Sequence, residues 1–379
     1  MSLSAVLSRP DADHAVPSGA GAGAGLRVLC DVAHPAQVHL FRNALAELQD
    51  RGHETFVTSR KKEVTVPLLD AYGIEHRPLS TRGDSLPELL AELAVRERRL
   101  YGVARRFDPD VILSRLGPAP AHVSALQGCR HVVVSDTHID STPMRLLKYT
   151  ATLPFADTVC APPEMDIPVD PQRRRPLPFQ ELAYLHPRYF DPDPTVLRRV
   201  GIDPDEPYFV VRTAGWDAYH DVGHAGLSPE GLRDLVGTLS AYGRVFVSAE
   251  GDVPTDVEAE RLGTDPADIH HVLYYADLYV GDSGTMSTEA ALLGTPAIRT
   301  NTMVGPDDEV VFRQLEEEYG LLQSFTDERA ALATVERLVS AGLDQDVWAQ
   351  RRQRLLEEQP DVTERLVETV LETARVSEQ

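Results

Sequence analysis

Lysine is almost missing from this sequence. It occurs only at Lys61, Lys62 and Lys148; arginine supplies the other positive charges, and the formal net charge is −22. A chain so negative, with few clustered cations, offers no surface suited to nucleic-acid phosphates. Cysteine is scarce as well. Cys30, Cys129 and Cys160 are scattered in or near apolar runs with no CxxC spacing, which reads as buried thiols of a cytoplasmic protein. No apolar stretch approaches the ~18 residues of a membrane span, so no transmembrane segment is expected. The first 25 residues, ending "PSGAGAGAG", lack a charged start followed by an apolar run and read as a disordered leader, not a signal peptide.

What is abundant is carboxylate. An acidic surplus with almost no lysine fits a halophilic protein, adapted to high salt that screens self-repulsion; an acidic protein from a GC-rich genome is the plainer alternative. Apolar residues make up 42% of the chain, enough for real cores, and 379 residues suggest two domains. From Leu26, short apolar runs alternate with amphipathic segments: "LRVLCDV", "ETFVTS", "IEHRPLS", "DVILS", "HVVVSD" and "DTVCA" read as strands with helices between them. The Pro- and Arg-rich stretch "APPEMDIPVDPQRRRPLP" breaks the pattern. A second series follows, with strands "PYFVVRT", "RVFVSAE", "ADLYVGD" and "TPAIRTN", then helical segments near 327–342 and 345–375. The expected fold is α/β, two Rossmann-like domains with parallel sheets facing a central cleft. The expected limits are a leader at 1–25, an N-terminal domain at 26–165 on the acceptor side, a linker at 166–195 and a nucleotide-sugar-side domain at 196–379.

The stretch "GDSGTMSTEAALLGTPAI" (281–298) carries the sharpest chemistry. A strand ends at Asp282, and Ser283, Gly284 and Thr285 open a helix whose unpaired N–H groups and dipole form a ready anion site. Gly284 lets a phosphate approach closely, and Glu289, six residues after Ser283, is placed to accept from ribose hydroxyls. The plainer reading is a Ser cap followed by an ordinary helical Glu. The segment is similar to the nucleotide-binding motif of UDP-N-acetylglucosamine 2-epimerases and to the donor-binding helix of MurG-like GT-B glycosyltransferases, through Glu289, Gly294 and Pro296. Over about 26–342 the chain resembles domain of unknown function family 354, mainly archaeal and GT-B-like. The words that carry this resemblance are "HPAQVHLFRNALAELQDRGHE", "SDTHID", "WDAYHDVGHAGLS" and "SAEGDVP", together with the segment at 281–298.

Other strand exits hold further candidates. Asp31, His34 and His39 surround the first strand–helix turn, and a histidine there has the pKa range of a general base; the alternative is that Asp31 and His34 merely cap the helix. Asp136, with His138 and Asp140 after it, ends "HVVVSD" in a position like that of an epimerase carboxylate. The preceding exit, "ILSRLGPAPAH", has no carboxylate where the epimerases place a second. "RTAGWDAYHDVGHAGLS" gathers Arg212, Trp216, Asp217, His220, Asp221 and His224; Arg212 and His220 suit a diphosphate, and the glycines argue for a loop and against a metal site. Glu250 and Gly251, Arg299, and the pair Asp307–Asp308 are weaker candidates. Arg173 to Arg175 and "PMRLLKYTATLPF" leave peripheral membrane contact open, beside an internally packed reading.

The expectation is therefore glycosyl transfer from a nucleotide sugar, UDP-linked, to a glycan or lipid-linked acceptor, with no metal or cofactor. Ser283, Gly284, Thr285 and Glu289 hold the nucleotide, Arg212 and His220 assist the diphosphate, and His34 or Asp136 acts on the acceptor or sugar. The alternatives are an epimerase-like nucleotide-sugar epimerase or hydrolase, and a non-catalytic sugar-nucleotide-binding protein.

Overall fold

The computed structural model describes residues 16–17, 25–83, 85–136, 143–214, 226–249, 254–257, 259–305 and 308–375. The chain divides into two units: residues up to Tyr184 together with those from Asp361 onward, and Leu185–Pro360.

Unit 1 is built on seven parallel strands: β1 (Arg27–Val32), β2 (Glu54–Lys61), β3 (His76–Thr81), β4 (Val111–Arg115), β5 (Arg130–Val134), β6 (Thr158–Ala161) and β7 (Arg174–Pro176), in the order β3-β2-β1-β4-β5-β6-β7. Unit 2 has β8 (Tyr208–Thr213), β9 (Arg244–Ala249), β10 (Glu260–Arg261), β11 (Leu278–Gly281), β12 (Ala297–Thr300) and β13 (Leu322–Phe325), in the order β10-β9-β8-β11-β12-β13. Their central strands are almost wholly apolar because helices cover both faces of a parallel sheet. In unit 1, Leu29, Phe56, Leu100, Phe107 and Ile112 pack into one cluster. In unit 2, Phe209, Val211, Leu235, Leu278, Val280, Ile298 and Val335 form another.

Both sheets place their first and fourth strands side by side, β1 with β4 and β8 with β11, and the chain winds outward in opposite directions from each pair. A crevice opens at the carboxyl ends of such strands, where open α/β sheets take ligands. The expectation of two parallel α/β domains holds.

Three details differ from the sequence reading. Within the expected linker, Arg174–Pro176 pairs parallel with β6. Arg173 donates to the Leu153 carbonyl at 2.6 Å, and Arg174 to those of Pro162 and Pro163 at 2.7 Å, so these arginines tie loops down. The strand "LQSF" was not expected; it is too short to show a period. The closing helical segment is two helices, Gln345–Glu358 and Val362–Arg375, split at Pro360, which cannot continue a helix. The second of these groups with unit 1, where Val362, Leu366, Val367 and Val370 are buried, although the sequence reading carried the C-terminal domain through 379.

Candidate functional site

At the switch point of unit 2, β8 and β11 approach closely. A Cβ at Gly281 would lie 2.8 Å from the Arg212 carbonyl and 2.5 Å from the Tyr279 hydroxyl, so glycine is required there. Asp282 follows, buried, accepting from the Ala214 N–H at 2.6 Å and the Leu227 N–H at 3.3 Å, while its carbonyl accepts from Asn301 Nδ2 at 3.0 Å. One residue thereby braces the exits of β8, β11 and β12. Ser283 then caps the helix Gly284–Leu293 from an extended conformation: its Oγ accepts from the Met286 N–H at 3.4 Å, and its carbonyl accepts from Ser287 Oγ at 2.7 Å. No acidic residue occupies the first turn of this helix, whose free amides and dipole favour an anion. The helix stops at Gly294, whose φ of +86° lies in the left-handed region.

Side chains around this helix start have partners that the sequence did not foresee. Arg212, next to last in β8, donates from Nη1 to Ser248 Oγ at 2.9 Å. A Cβ on Gly284 would meet Phe312 Cζ at 2.9 Å, so this glycine admits an aromatic ring as well as open backbone. The Phe312 ring also carries the Arg299 guanidinium 3.5 Å from its centroid, and Arg299, 2% exposed, is ion-paired with Asp308. Glu289 is 5% exposed, and its Oε1 lies 3.0 Å from Nε2 of His270 in the helix Ile269–Tyr275. His270 was missed: one of two adjacent histidines, it carries no spacing signal linking it to Glu289.

In unit 1, His34 caps the helix Pro35–Asp50, with Nδ1 accepting from the Ala36 N–H at 3.3 Å and Pro35 in the first turn. Its Nε2 is 4.0 Å from Glu63, whose other oxygen is 3.0 Å from Lys62 Nζ. Partial burial pushes the imidazole down to about 4, aided by Lys62, Arg115 and Arg82 and opposed by Glu63. The side chain is 43% exposed, so solvent screening tempers the effect; the direction is toward a neutral ring near pH 7. With Nδ1 accepting, that neutral ring carries its proton on Nε2 and acts there as a donor. Asp136 is ion-paired with Arg115 through Oδ1 and accepts from Gln180 through Oδ2, and Arg115 also reaches Gln180. An arginine thus stands at the β4 exit, where the sequence had shown no carboxylate.

Asp31 turns inward instead. It is 4% exposed and accepts from Thr58 Oγ1 and Arg96 Nη2, each at 2.7 Å. Arg96 continues to Ser80 Oγ at 3.2 Å, and Ser80 donates to Glu92 at 2.8 Å. Burial raises the Glu92 carboxyl, but bonds from Arg60, Ser80 and the Gly83 N–H bring it below its ordinary value. His39 is a core residue, its ring 5.1 Å from that of Tyr184 and 5.6 Å from that of Tyr72. Burial pushes the Cys129 and Cys160 thiols up to about 12, which leaves them unreactive near neutral pH.

His220, with Trp216, Asp217, Asp221 and His224, lies outside the described residues, as do His138, Asp140, Glu250, Gly251 and Asp307. Among the described residues no group of three or more His, Cys, Asp or Glu is placed to hold a metal ion, and no helix is long and apolar enough to cross a membrane.

The chain belongs to the family described as Protein of unknown function (DUF354), which it matches over residues 26–375. It is 24% identical over 286 residues to the uncharacterized protein MJ0665 of Methanocaldococcus jannaschii, a match covering 72% of this chain and 81% of that one. Among solved structures it resembles the UDP-GlcNAc 2-epimerase of Neisseria meningitidis bound to UDP-GlcNAc, with a TM-score of 0.63 and 13% identity over 92% of this chain and 100% of that one. It resembles the spinosyn forosaminyltransferase SpnP with a TM-score of 0.62 and 17% identity, again over 92% of this chain and 100% of that one. The fold is therefore GT-B-like, shared with epimerases and glycosyltransferases; identity this low carries the fold alone.

Proposed function

We propose that unit 2 binds a nucleotide sugar, UDP-linked, and that the protein transfers the sugar to a glycan or lipid-linked acceptor. The observation that carries this reading is the Ser283-capped helix at the switch point of a doubly wound sheet, with no acidic side chain in its first turn. The amides of Gly284 and Thr285, with Arg212 and His220, hold the diphosphate and stabilise it as it departs. Glu289, oriented by His270, accepts from the ribose hydroxyls. His34 or Asp136 acts on the acceptor hydroxyl, His34 after releasing its cap or changing tautomer, Asp136 after giving up Arg115 or Gln180. The reaction needs no resident metal, since helix amides and arginine neutralise the leaving group, and it takes place in the cytoplasm.

Epimerase or hydrolase chemistry is the second reading, favoured by the likeness to the Neisseria enzyme. Against a two-carboxylate mechanism stands Arg115 at the β4 exit, tied to the carboxylate that remains.

The test is a thermal-shift screen in molar KCl against UDP, GDP, dTDP and their sugars, followed by product analysis. A ligand at ~100 times its dissociation constant stabilises by roughly 2.7 kcal/mol. A shift with UDP-sugars, and consumption of the sugar only when an acceptor is present, supports transfer. Conversion of the sugar nucleotide alone moves the reading to epimerisation or hydrolysis. No shift with any nucleotide, in folded protein, overturns both.

A further inference from the structure

Two of the three lysines in this acidic chain are adjacent, Lys61 and Lys62, at the carboxyl end of β2. Lys62 keeps 16% of its side chain exposed, and its Nζ is 3.0 Å from Glu63. Arg82, just beyond β3, is half-buried, and its guanidinium makes no hydrogen bond or ion pair among the described residues. Lys62 follows β2, Arg82 follows β3 and Arg115 ends β4, carboxyl ends of the same parallel sheet in the order β3-β2-β1-β4, and the Arg82 N–H donates to the Lys61 carbonyl at 3.2 Å; all three cations act on the charge of His34. Three cations thus share one strand-end neighbourhood with two carboxylates, Glu63 and Asp136. Asp136 is committed to Arg115 and Gln180. Glu63 is half-exposed, sits at a left-handed φ of +46°, and lies 3.0 Å from Lys62 and 4.0 Å from His34. In a protein whose net charge repels anions, such a local surplus of cations marks a place where an anion is wanted.

We infer that unit 1 holds an anion site of its own, formed by Lys62 and Arg82 with Arg115 behind them and the His34 Nε2–H beside them, and that it takes a phosphate or diphosphate group. Separate cations on three strand ends match a group with several charged oxygens better than a planar carboxylate. Glu63 is the carboxylate that an incoming phosphate displaces from Lys62, and its exposure lets it leave without opening the core. The site does not depend on the nucleotide reading of unit 2.

Calorimetric titration with inorganic pyrophosphate at fixed ionic strength tests it, with UDP titrated in parallel. In the double variant Lys62→Gln/Arg82→Gln, pyrophosphate affinity falls about tenfold or more, while UDP affinity and melting temperature stay as in wild type. Arg82→Lys alone keeps most of the binding. Should the double variant prove unstable, the single change Arg82→Gln gives the same readout with a smaller loss. Pyrophosphate affinity equal in wild type and variants, pyrophosphate binding removed entirely by competing UDP, or no pyrophosphate binding at all overturns the inference. Failure of UDP to bind wild type, with the pyrophosphate effect intact, overturns the nucleotide reading and leaves this site standing.

Discussion

His270 Nε2 lies 3.0 Å from Glu289 Oε1, with both side chains buried and on different helices of unit 2. The imidazole holds the carboxylate in one place, which is what a group receiving ribose hydroxyls needs. Glu289→Gln keeps an oxygen for His270 while removing the charge. Charged hydrogen bonds are worth roughly 1.5–3 kcal/mol, so UDP affinity falls on the order of 10- to 100-fold with little change in melting temperature. Titration of UDP into both proteins decides it: equal affinity removes Glu289 from the nucleotide grip.

Gly284 is constrained by packing as well as by its place at the helix start. A Cβ there would press on Phe312 Cζ at 2.9 Å, and Phe312 is itself pinned under the Arg299 guanidinium. Gly284→Ala costs about 1–3 kcal/mol through overpacking, and Phe312→Leu made in the same chain returns part of it. A double-mutant cycle from urea midpoints measures this coupling. Strict additivity of the two changes would show that ring and glycine do not meet.

These two contacts also show where the sequence stopped being legible. The exits of the central strands could be read because a buried parallel strand leaves a largely apolar run, with a turn-forming residue near its end. The start of the helix at Ser283 was legible for the same reason. What Glu289 and Gly284 touch was not, since His270 and Phe312 come from other helices and no period links them. The same limit hid Arg96, which lies 65 residues from Asp31 along the chain and inside a helix that reads as an ordinary charged one. Asp31 accordingly looked like a member of the first turn.

His131 is fully buried, with Nε2 2.9 Å from Ser114 Oγ, and burial pushes its imidazole down to about 4. The unfolded ring titrates near 6.5. Between these values the unfolded chain binds the extra proton, so stability rises with pH across the window and is lost as pH falls through it. The full difference corresponds to about 3 kcal/mol. His131→Leu flattens the dependence of the urea midpoint on pH between 7 and 4.5, at some cost in stability at pH 7. An unchanged slope in the variant would remove His131 as its source.

The carboxylate excess makes a salt prediction. At 0.1 M salt the screening length is about 10 Å, and at 1 M about 3 Å. A chain of net charge −22 repels itself over the longer distance, so its melting temperature rises between 0.1 and 1 M KCl, and most of the rise is complete by 1 M. A protein already at full stability in 0.1 M KCl would contradict adaptation to high salt.

The role of Arg96 is separable from any ligand. Arg96 is buried between Asp31 and Ser80, and Ser80 in turn donates to the Glu92 carboxylate that Arg60 serves. Arg96→Met leaves Asp31 with Thr58 alone, and breaking a buried pair from one side costs about 3–5 kcal/mol. Removing both partners, as Arg96→Met/Asp31→Leu, recovers much of that loss, because the penalty comes from the stranded carboxylate and not from the missing attraction. Urea unfolding of the two variants separates the cases. If the double variant is less stable than Arg96→Met alone, Asp31 contributes through something other than this pair, and the β1 exit must be read again as a site.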